Sequence, residues 1–421
     1  MRFIADFHLH SKYSRATSQE MNLENLDKWA KIKGIKVLGT SDFTHSEWFK
    51  NLKEKLEPAE PGLFKLRGSQ PVGYPESETR FILTTEVSCV YPKRGRLRKI
   101  HLILFSSSFE TCEKINTHLA WIGNLKADGR PILGLEAKEL VKIVLNISED
   151  CLIVPSHCLT PWFGIFGSKS GFDSIEECFE EYSKYIFALE TGLSADPGLI
   201  WRIPDGRKVT LISCSDAHSP LRIGREANVF DTEISYFAII EAIKSKNPQK
   251  FLYTIEFFPQ EGKYHYDGHR LCGISLSPQE SKKSGNICPN CGKPLTIGVL
   301  NRVEELADRP DGFKPENAIP FKSLIPLEEI IADALGTMIG TKQVEEEYKN
   351  LIEKFDNEFN VLIDVSRSEL EAVSLPEITE GIMRVREGKV NIEPGYDGVY
   401  GKIRIFSKGE QRTVSRQKTL F

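Results

Sequence analysis

The 421-residue sequence contains no apolar run approaching the roughly 18 residues that a membrane-spanning helix requires, so no membrane partner is expected. It has no excess of either charge. Lys+Arg 55 against Asp+Glu 59 gives a formal net charge of -4 and a pI near 6.2. Nucleic-acid binding through bulk positive charge is thereby excluded, and any such binding must come from local patches. The nine cysteines cannot all pair, and most stand singly on apolar runs (Cys89, Cys151, Cys178, Cys214). A disulfide framework is not expected, and the pattern suits a reducing cytoplasm. The opening Met1-Arg2-Phe3-Ile4-Ala5-Asp6 turns polar too soon for a signal peptide. Internal repeats and low-complexity tracts are missing as well. What remains is ordinary for a soluble globular protein, with 40% hydrophobic and 27% charged residues. At roughly 150 residues per domain, the length suggests two or three domains.

The first half alternates short apolar or β-branched runs with helical patterns. The runs lie at 2–6, 35–40, 81–86, 100–105, 151–155, 186–190 and 209–213. One helix reads as Leu23, Leu26, Trp29 and Ala30 behind an Asn22 cap, ended by Gly34; others lie at 115–125, 136–144 and 175–185. About seven βα units point to a barrel-like α/β domain rather than a sandwich. Near residue 250 the character changes to a Gly-, Ser- and Lys-rich stretch, followed by the turn-dense Asp308-Arg309-Pro310-Asp311-Gly312. Helical patterns return over 324–360. We therefore expect modules at 1–250, 251–310 and 311–408, and a basic tail at 409–421.

Histidines and acids gather where the strands of the first module end. His8 and His10 follow the first run as His-x-His, sharing one face of an extended segment. Asp42 and His45 follow the second, Glu86 ends the third, His101 opens the fourth and His157 follows the fifth. Glu190 ends the sixth, and Asp216 with His218 follows the seventh. Barrel enzymes collect their catalytic groups at such strand ends. Imidazoles mixed with carboxylates suit two or more divalent ions. A lone His-x-His is common, and His101 or His157 alone would read as a satisfied core histidine. The argument rests on their conjunction. Glu190 reads equally well as a salt-bridged residue.

A hairpin turning at Pro92–Gly95 would set Glu86 opposite His101. Its tip would carry Lys93, Arg94, Arg96, Arg98 and Lys99, either a solvated loop or a contact for a polyanionic substrate. The Gly-rich segment after His157 holds Trp162, Phe163 and Phe166, with Lys169 beyond, and could stack on a base or simply pin a loop. In the second module Cys288-Pro289-Asn290-Cys291-Gly292 has the turn of a zinc knuckle. His269 and Cys272 complete His-x2-Cys-x15-Cys-x2-Cys, with His265 as the alternative fourth ligand. A redox Cys-x-x-Cys lacks the strand–helix context it needs. At the C-terminus Gln417, Leu420 and Phe421 form a Gln-x-x-Leu-Phe peptide similar to those that dock repair enzymes on the sliding clamp.

Residues 1–250 resemble the polymerase-and-histidinol-phosphatase (PHP) family. That resemblance implies a distorted (β/α)7 barrel carrying two, or three, divalent metals (zinc, magnesium or manganese) that hydrolyse phosphoesters. Carried over by position, His8, His10, Glu86 and Asp216 would hold one metal. Glu86, His101 and His157 would hold a second, and His218 and His45 fall in the region of a third. The sequence departs from the family pattern there: Ser14-Arg15-Ala16 stands where an acid is usual, and Asp42 is followed by Phe43 rather than His. Glu86, Asp216 and His218 would carry the catalysis. With its zinc module, helical C-terminal module and the 394–401 stretch (Pro394-Gly395-Tyr396-Asp397-Gly398-Val399-Tyr400-Gly401), the whole chain resembles the endonuclease Q family, archaeal DNA-repair endonucleases of the PHP superfamily. The implied activity is cleavage 5′ to deaminated bases (deoxyuridine, hypoxanthine, xanthine) and abasic sites by a cytoplasmic monomer with one structural zinc, partnered by damaged DNA and the sliding clamp. A PHP-type small-molecule phosphatase and a 3′ exonuclease are the alternatives.

Overall fold

The structure, a computed structural model, describes residues 1–68 and 79–407; the clamp-like peptide, Gln417, Leu420 and Phe421 included, lies outside them. The expected strands and helices form a mixed α/β fold around a mixed central sheet. The first strand, Arg2–Asp6, pairs in parallel with Val37–Gly39, which pairs in parallel with the long strand Arg80–Lys93. That strand turns through Arg94 and Gly95, at φ +51° and +72°, as a two-residue hairpin requires. It returns antiparallel as Arg96–Ser106, which pairs antiparallel with Leu152–Pro155. Ala188–Glu190 and Thr210–Ile212 form a separate parallel pair.

Backbone hydrogen bonds past the strand ends link these pieces into a circuit. Cys158 N donates to Glu190 O, Thr191 N to Ile212 O, and His10 N to Ala217 O, each at 2.9–3.0 Å; Leu9 and Ala217 form a parallel bridge. Asp6 locks the same junction, accepting from Ser215 N at 3.1 Å and Gly224 N at 3.0 Å. An apolar cluster that includes Phe7, Ile82, Phe105, Val154, Ala188 and Ile212 is buried among the strands. Helices Leu23–Lys33, Phe109–Ala120 and Ala137–Ile147 pack their apolar stripes from outside. The first of these starts on Asn22, whose side chain accepts from Asn25 N, and stops at Gly34 with φ +86°. A Cβ at Gly34 would also collide with Asn357 of the C-terminal module.

The boundary expected at residue 250 cuts through the sheet. Ala227–Asp231 adds antiparallel to the first strand, Phe251–Glu256 adds to it in turn, and Phe321–Ser323 closes that edge. The alternating pattern of 251–256 is short, and its neighbours are distant in sequence, so the composition change beyond it masked it. The zinc-type module begins later, at the hairpin Asp267–His269 with Ile274–Leu276. The C-terminal module is helical as expected over Leu327–Leu335, Lys342–Phe355 and Pro376–Arg386, followed by a small hairpin of Asn391–Glu393 and Lys402–Arg404. It is tied to the first helix by a buried ion pair, Lys33 Nζ to Glu358 Oε2 at 2.6 Å. Tyr348 Oη and Leu327 N also donate to Glu358. None of the described helices is long and apolar enough to cross a membrane.

Candidate metal centre and cleft

The circuit brings the predicted residues to one end of the sheet. Asp42 (φ +47°), His157 (+30°) and Asp216 (+46°) leave their strands in the left-handed region that non-glycine residues avoid, as does Ser41 (+56°) beside Asp42. Such strain clusters where side chains must be aimed.

Two ligand groups form there, each with its atoms within 4.8 Å of one another: His8, His10 and Asp216, and Glu86, His101 and His157. Glu86 joins them, one oxygen to each. Its Oε2 lies 3.5 Å from both His8 Nε2 and His10 Nε2. Its Oε1 lies 2.9 Å from His101 Nδ1 and 3.3 Å from His157 Nε2. Asp216 Oδ1 lies 3.0 Å from His10 Nε2. The expected contact of Glu86 with His101 is present, but Glu86 pairs with Ile103 and His101 with Ser88. The two are therefore diagonal neighbours on one face, because the turn spans two residues rather than four.

Buried polar atoms without a hydrogen-bond partner are costly, and here they converge. His8 Nε2, His10 Nε2, Glu86 Oε1 and Asp216 Oδ1 are all buried, and despite these short separations none of them makes an aligned hydrogen bond. That donor set fits two divalent ions better than it fits a closed hydrogen-bond network. Burial alone would raise the Glu86 carboxyl, but His101, His8 and Arg130 hold it well below the usual carboxylate range. Burial pushes His101 down to about 4 against the opposing charge of Glu86, leaving a neutral imidazole, the ligating form.

The far nitrogen of most of these imidazoles is held from behind, as it is in metal-binding histidines. Glu190 Oε1 lies 2.8 Å from His8 Nδ1, while Oε2 accepts His157 N at 2.7 Å. Ser14 Oγ lies 3.3 Å from His10 Nδ1, with Asp42 Oδ1 at 3.4 Å beside it, and Asp42 Oδ2 accepts from Ser11 N, Ser11 Oγ and Ser14 Oγ at 2.7–2.8 Å. Thr160 Oγ1 stands 2.8 Å from His157 Nδ1. These supporting roles of Glu190 and Asp42 escaped the sequence reading, because the residues they orient lie far away in the chain. His45 is corrected. It precedes the helix Ser46–Lys55 and stacks on Tyr13 at 4.5 Å, outside both ligand groups. His218 also lies outside them, its ring 4.5 Å from that of His10 and its Nδ1 2.9 Å from Asp216 O.

A cleft of about 610 Å³ opens over the two groups. Arg15, Arg130, Arg225 and Lys263 line it, as do Trp162, Phe163, Tyr264 and Tyr400. Phe163 packs on His101 at 4.2 Å, and Trp162 meets Tyr264 edge-on at 5.8 Å. Phe166 is corrected: it is fully buried, packing in the core with no face toward a ligand. The hairpin tip is also not a free basic patch. Lys93 pairs with Glu136 and Glu180, Arg94 with Glu177, and Arg98 is buried over Phe172. Arg96 stays exposed, as does Lys169, and Lys99 lies over Phe163. The acids that neutralise the tip come from other helices. The cations of the cleft sit in loops with no periodicity to mark them.

About the second module, His269, Cys272, Cys288 and Cys291 bring their ligand atoms within 4.8 Å of one another. Gly292, at φ +70°, lets the Cys-x-x-Cys turn close, with Cys288 N donating to Lys293 O and Gly292 N to Cys288 O. His265 is buried and stands apart from this quartet.

Residues 326–389 match a family described as the MJ0043 C-terminal domain. The chain is 37% identical over 257 residues to the protein MJ0043 of Methanocaldococcus jannaschii, a match covering 59% of this chain but 31% of that protein, so it spans under a third of that relative's length. It is 27% identical over 381 residues to the protein YqxK of Bacillus subtilis, covering 88% of this chain and 89% of YqxK. Among solved structures, the crystal structure of the lesion-specific endonuclease PfuEndoQ from Pyrococcus furiosus superposes with a TM-score of 0.85 at 30% identity over the whole of both chains. A structure of Endonuclease Q in complex with a 27-mer duplex substrate, with an abasic lesion at the active site, gives the same score and identity over 99% of each.

Proposed function

The chain belongs to the endonuclease Q family, and from that premise we propose that it is a metal-dependent DNA-repair endonuclease cutting the phosphodiester 5′ to deaminated bases and abasic sites. The observation that carries the reading is the Glu86 carboxylate, which offers one oxygen to each of two His-rich groups beneath a cleft lined by cations and aromatics. We read the strand circuit as a distorted (β/α)7 PHP barrel. His8, His10, Glu86 and Asp216 would hold one ion, and Glu86, His101 and His157 another, zinc, magnesium or manganese. His269, Cys272, Cys288 and Cys291 would hold a structural zinc. The departures at Ser14–Ala16 and Phe43, together with the placement of His45, favour two catalytic ions over three.

Divalent ions bound there would supply Lewis acidity toward phosphorus and lower the pKa of water. The protein's own groups do the rest. Glu86 keeps the two groups in register, and Glu190 and Asp42 hold the imidazoles in their aim. His218 donates Nδ1–H to the Asp216 carbonyl, which only accepts, so the neutral ring keeps Nε2 unprotonated in a residue that lines the cleft. Trp162, the more exposed of the two, would stack on a base drawn out of the duplex, with Phe163 packed behind it on His101. The C-terminal module would add backbone contacts, the Gln417–Phe421 peptide would dock on a sliding clamp, and the protein would work as a cytoplasmic monomer.

The test uses end-labelled duplexes carrying one deoxyuridine, hypoxanthine, xanthine or abasic site, or none, incubated with zinc, magnesium or manganese. We expect one internal cut on the 5′ side of the lesion and none in the undamaged duplex. Trimming from 3′ ends would establish an exonuclease, and turnover of phosphomonoesters alone would establish a small-molecule phosphatase.

A further inference from the structure

Arg130 sits where no sequence pattern marked it. Its Nη1 lies 3.1 Å from Glu86 Oε2, the oxygen that also faces His8 Nε2 and His10 Nε2. Its side chain is 27% exposed, and that part lines the cleft. The loop beneath it is rigidly wired. Arg130 N and Arg15 N both donate to Asp128 Oδ1, at 3.1 and 3.3 Å, and Gly129 N donates to Tyr13 O. A Cβ at Gly129 would collide with Asp42 and Ser14. The guanidinium is therefore carried on the same scaffold that aims His10.

The position is frustrated once a divalent ion sits between His8, His10 and Asp216. Glu86 Oε2 faces that group and would join it in holding an ion, so a guanidinium sharing the same oxygen would stand beside a second cation. The exposed side of Arg130 faces the cleft where the polyanion must enter. Arg225 behaves differently: it donates Nε to Ser215 O at 2.8 Å and Nη2 to Asp216 O at 3.4 Å, so the backbone occupies it. A guanidinium presents parallel donors that match two non-bridging phosphate oxygens, a geometry an ammonium lacks.

We propose that Arg130 is the clamp for the scissile phosphate, pairing with Glu86 before ions bind and turning to the phosphodiester once they do. The proposal rests on the endonuclease reading above and names a residue that holds its reacting group.

The experiment first maps the cut made by the wild-type protein. It then measures, by fluorescence anisotropy with metal-loaded protein, binding of that nicked product with its terminal phosphate or with a hydroxyl in its place. Wild-type protein, Arg130→Ala and Arg130→Lys are compared, with metal content determined for each. We expect the terminal phosphate to strengthen wild-type binding, and Arg130→Ala to lose about tenfold or more of that advantage, the scale of a charge-assisted hydrogen-bond pair. Metal content and binding of the hydroxyl-ended duplex should stay unchanged, and Arg130→Lys should recover part of the loss. An undiminished phosphate advantage in Arg130→Ala would overturn the proposal, as would loss of metal from both variants. If the wild-type protein makes no cut in lesion duplexes, the endonuclease reading itself fails.

Discussion

Replacing Glu190 with Gln tests whether the metal centre depends on a carboxylate that ligates nothing. Glu190 presents two oxygens to two donors, His8 Nδ1 at 2.8 Å and His157 N at 2.7 Å, and is 1% exposed. Gln keeps the shape but has one oxygen, so one donor must face an amide NH₂. A buried donor left unpaired costs about 1–3 kcal/mol. If that cost falls on His8, its ring loses the partner that fixes its tautomer, and metal affinity should fall about 10–100-fold, the usual effect of losing such a partner. Competition with a calibrated chelator, read by metal analysis, measures that fall directly. Cleavage at limiting metal should drop in step and recover substantially at saturating metal. Unchanged metal affinity would refute the reasoning, and so would cleavage that stays lost at full occupancy.

The buried pair of Lys33 and Glu358 should make Glu358→Ala costly, by about 3–5 kcal/mol for an uncompensated buried charge; chemical denaturation should show the loss, with less of it in the Lys33→Met, Glu358→Leu double variant. Trp162→Ala should weaken binding of lesion duplexes by about 1–3 kcal/mol, the worth of a base–aromatic stack, at unchanged stability. Phe166→Ala should instead destabilise the fold by about 3–5 kcal/mol, measurable by urea unfolding, with no separate effect on DNA. Chelator-treated protein should lose stability as pH rises from 6.5 to 9, above the range in which His101 and His265, pushed down to about 4 by burial, act in the opposite sense. Burial pushes Glu256 and Glu261 up to about 8. The folded chain thus retains protons that the unfolded chain releases near pH 4.5, and the stability they add is lost as pH climbs through the raised values. His10, raised to about 9 by Asp216 and Asp42 against its burial, acts in the same direction above pH 6.5. A urea midpoint that rises over this range would contradict the assignment.

Strand ends were legible in the sequence because each apolar run breaks abruptly into His, Asp or Glu, and the circuit then places those breaks at one end of the sheet. His8, His10 and Asp216 come together there as one group, and Glu86, His101 and His157 as another. Second-layer partners were not legible: Glu190 looked like any strand-end acid, since its worth depends on His8, which is 182 positions away. Charge runs misled for the same reason. Lys93 and Arg94 read as a basic tip until helices from elsewhere supplied Glu136, Glu177 and Glu180. Phe166 shared its segment with Trp162, and no local pattern separates a core anchor from a cleft aromatic. The strand Phe251–Glu256 was hidden by the composition change that begins just beyond it.

The hydrogen bond from His10 to Ala217 also bears on how the centre comes into being. Its first ligands leave the ribosome near the start of synthesis, while Asp216 follows about two hundred residues later. Until the segment around Ala217 docks beside the first strand, His8 and His10 form an incomplete set with neither Asp216 nor the Asp6 lock in place. Ring closure through such distant contacts is intrinsically slow. Any metal uptake should therefore follow the docking of the segment around Ala217 beside the first strand. A nascent chain stalled before residue 216 would bind divalent ions weakly and without defined stoichiometry.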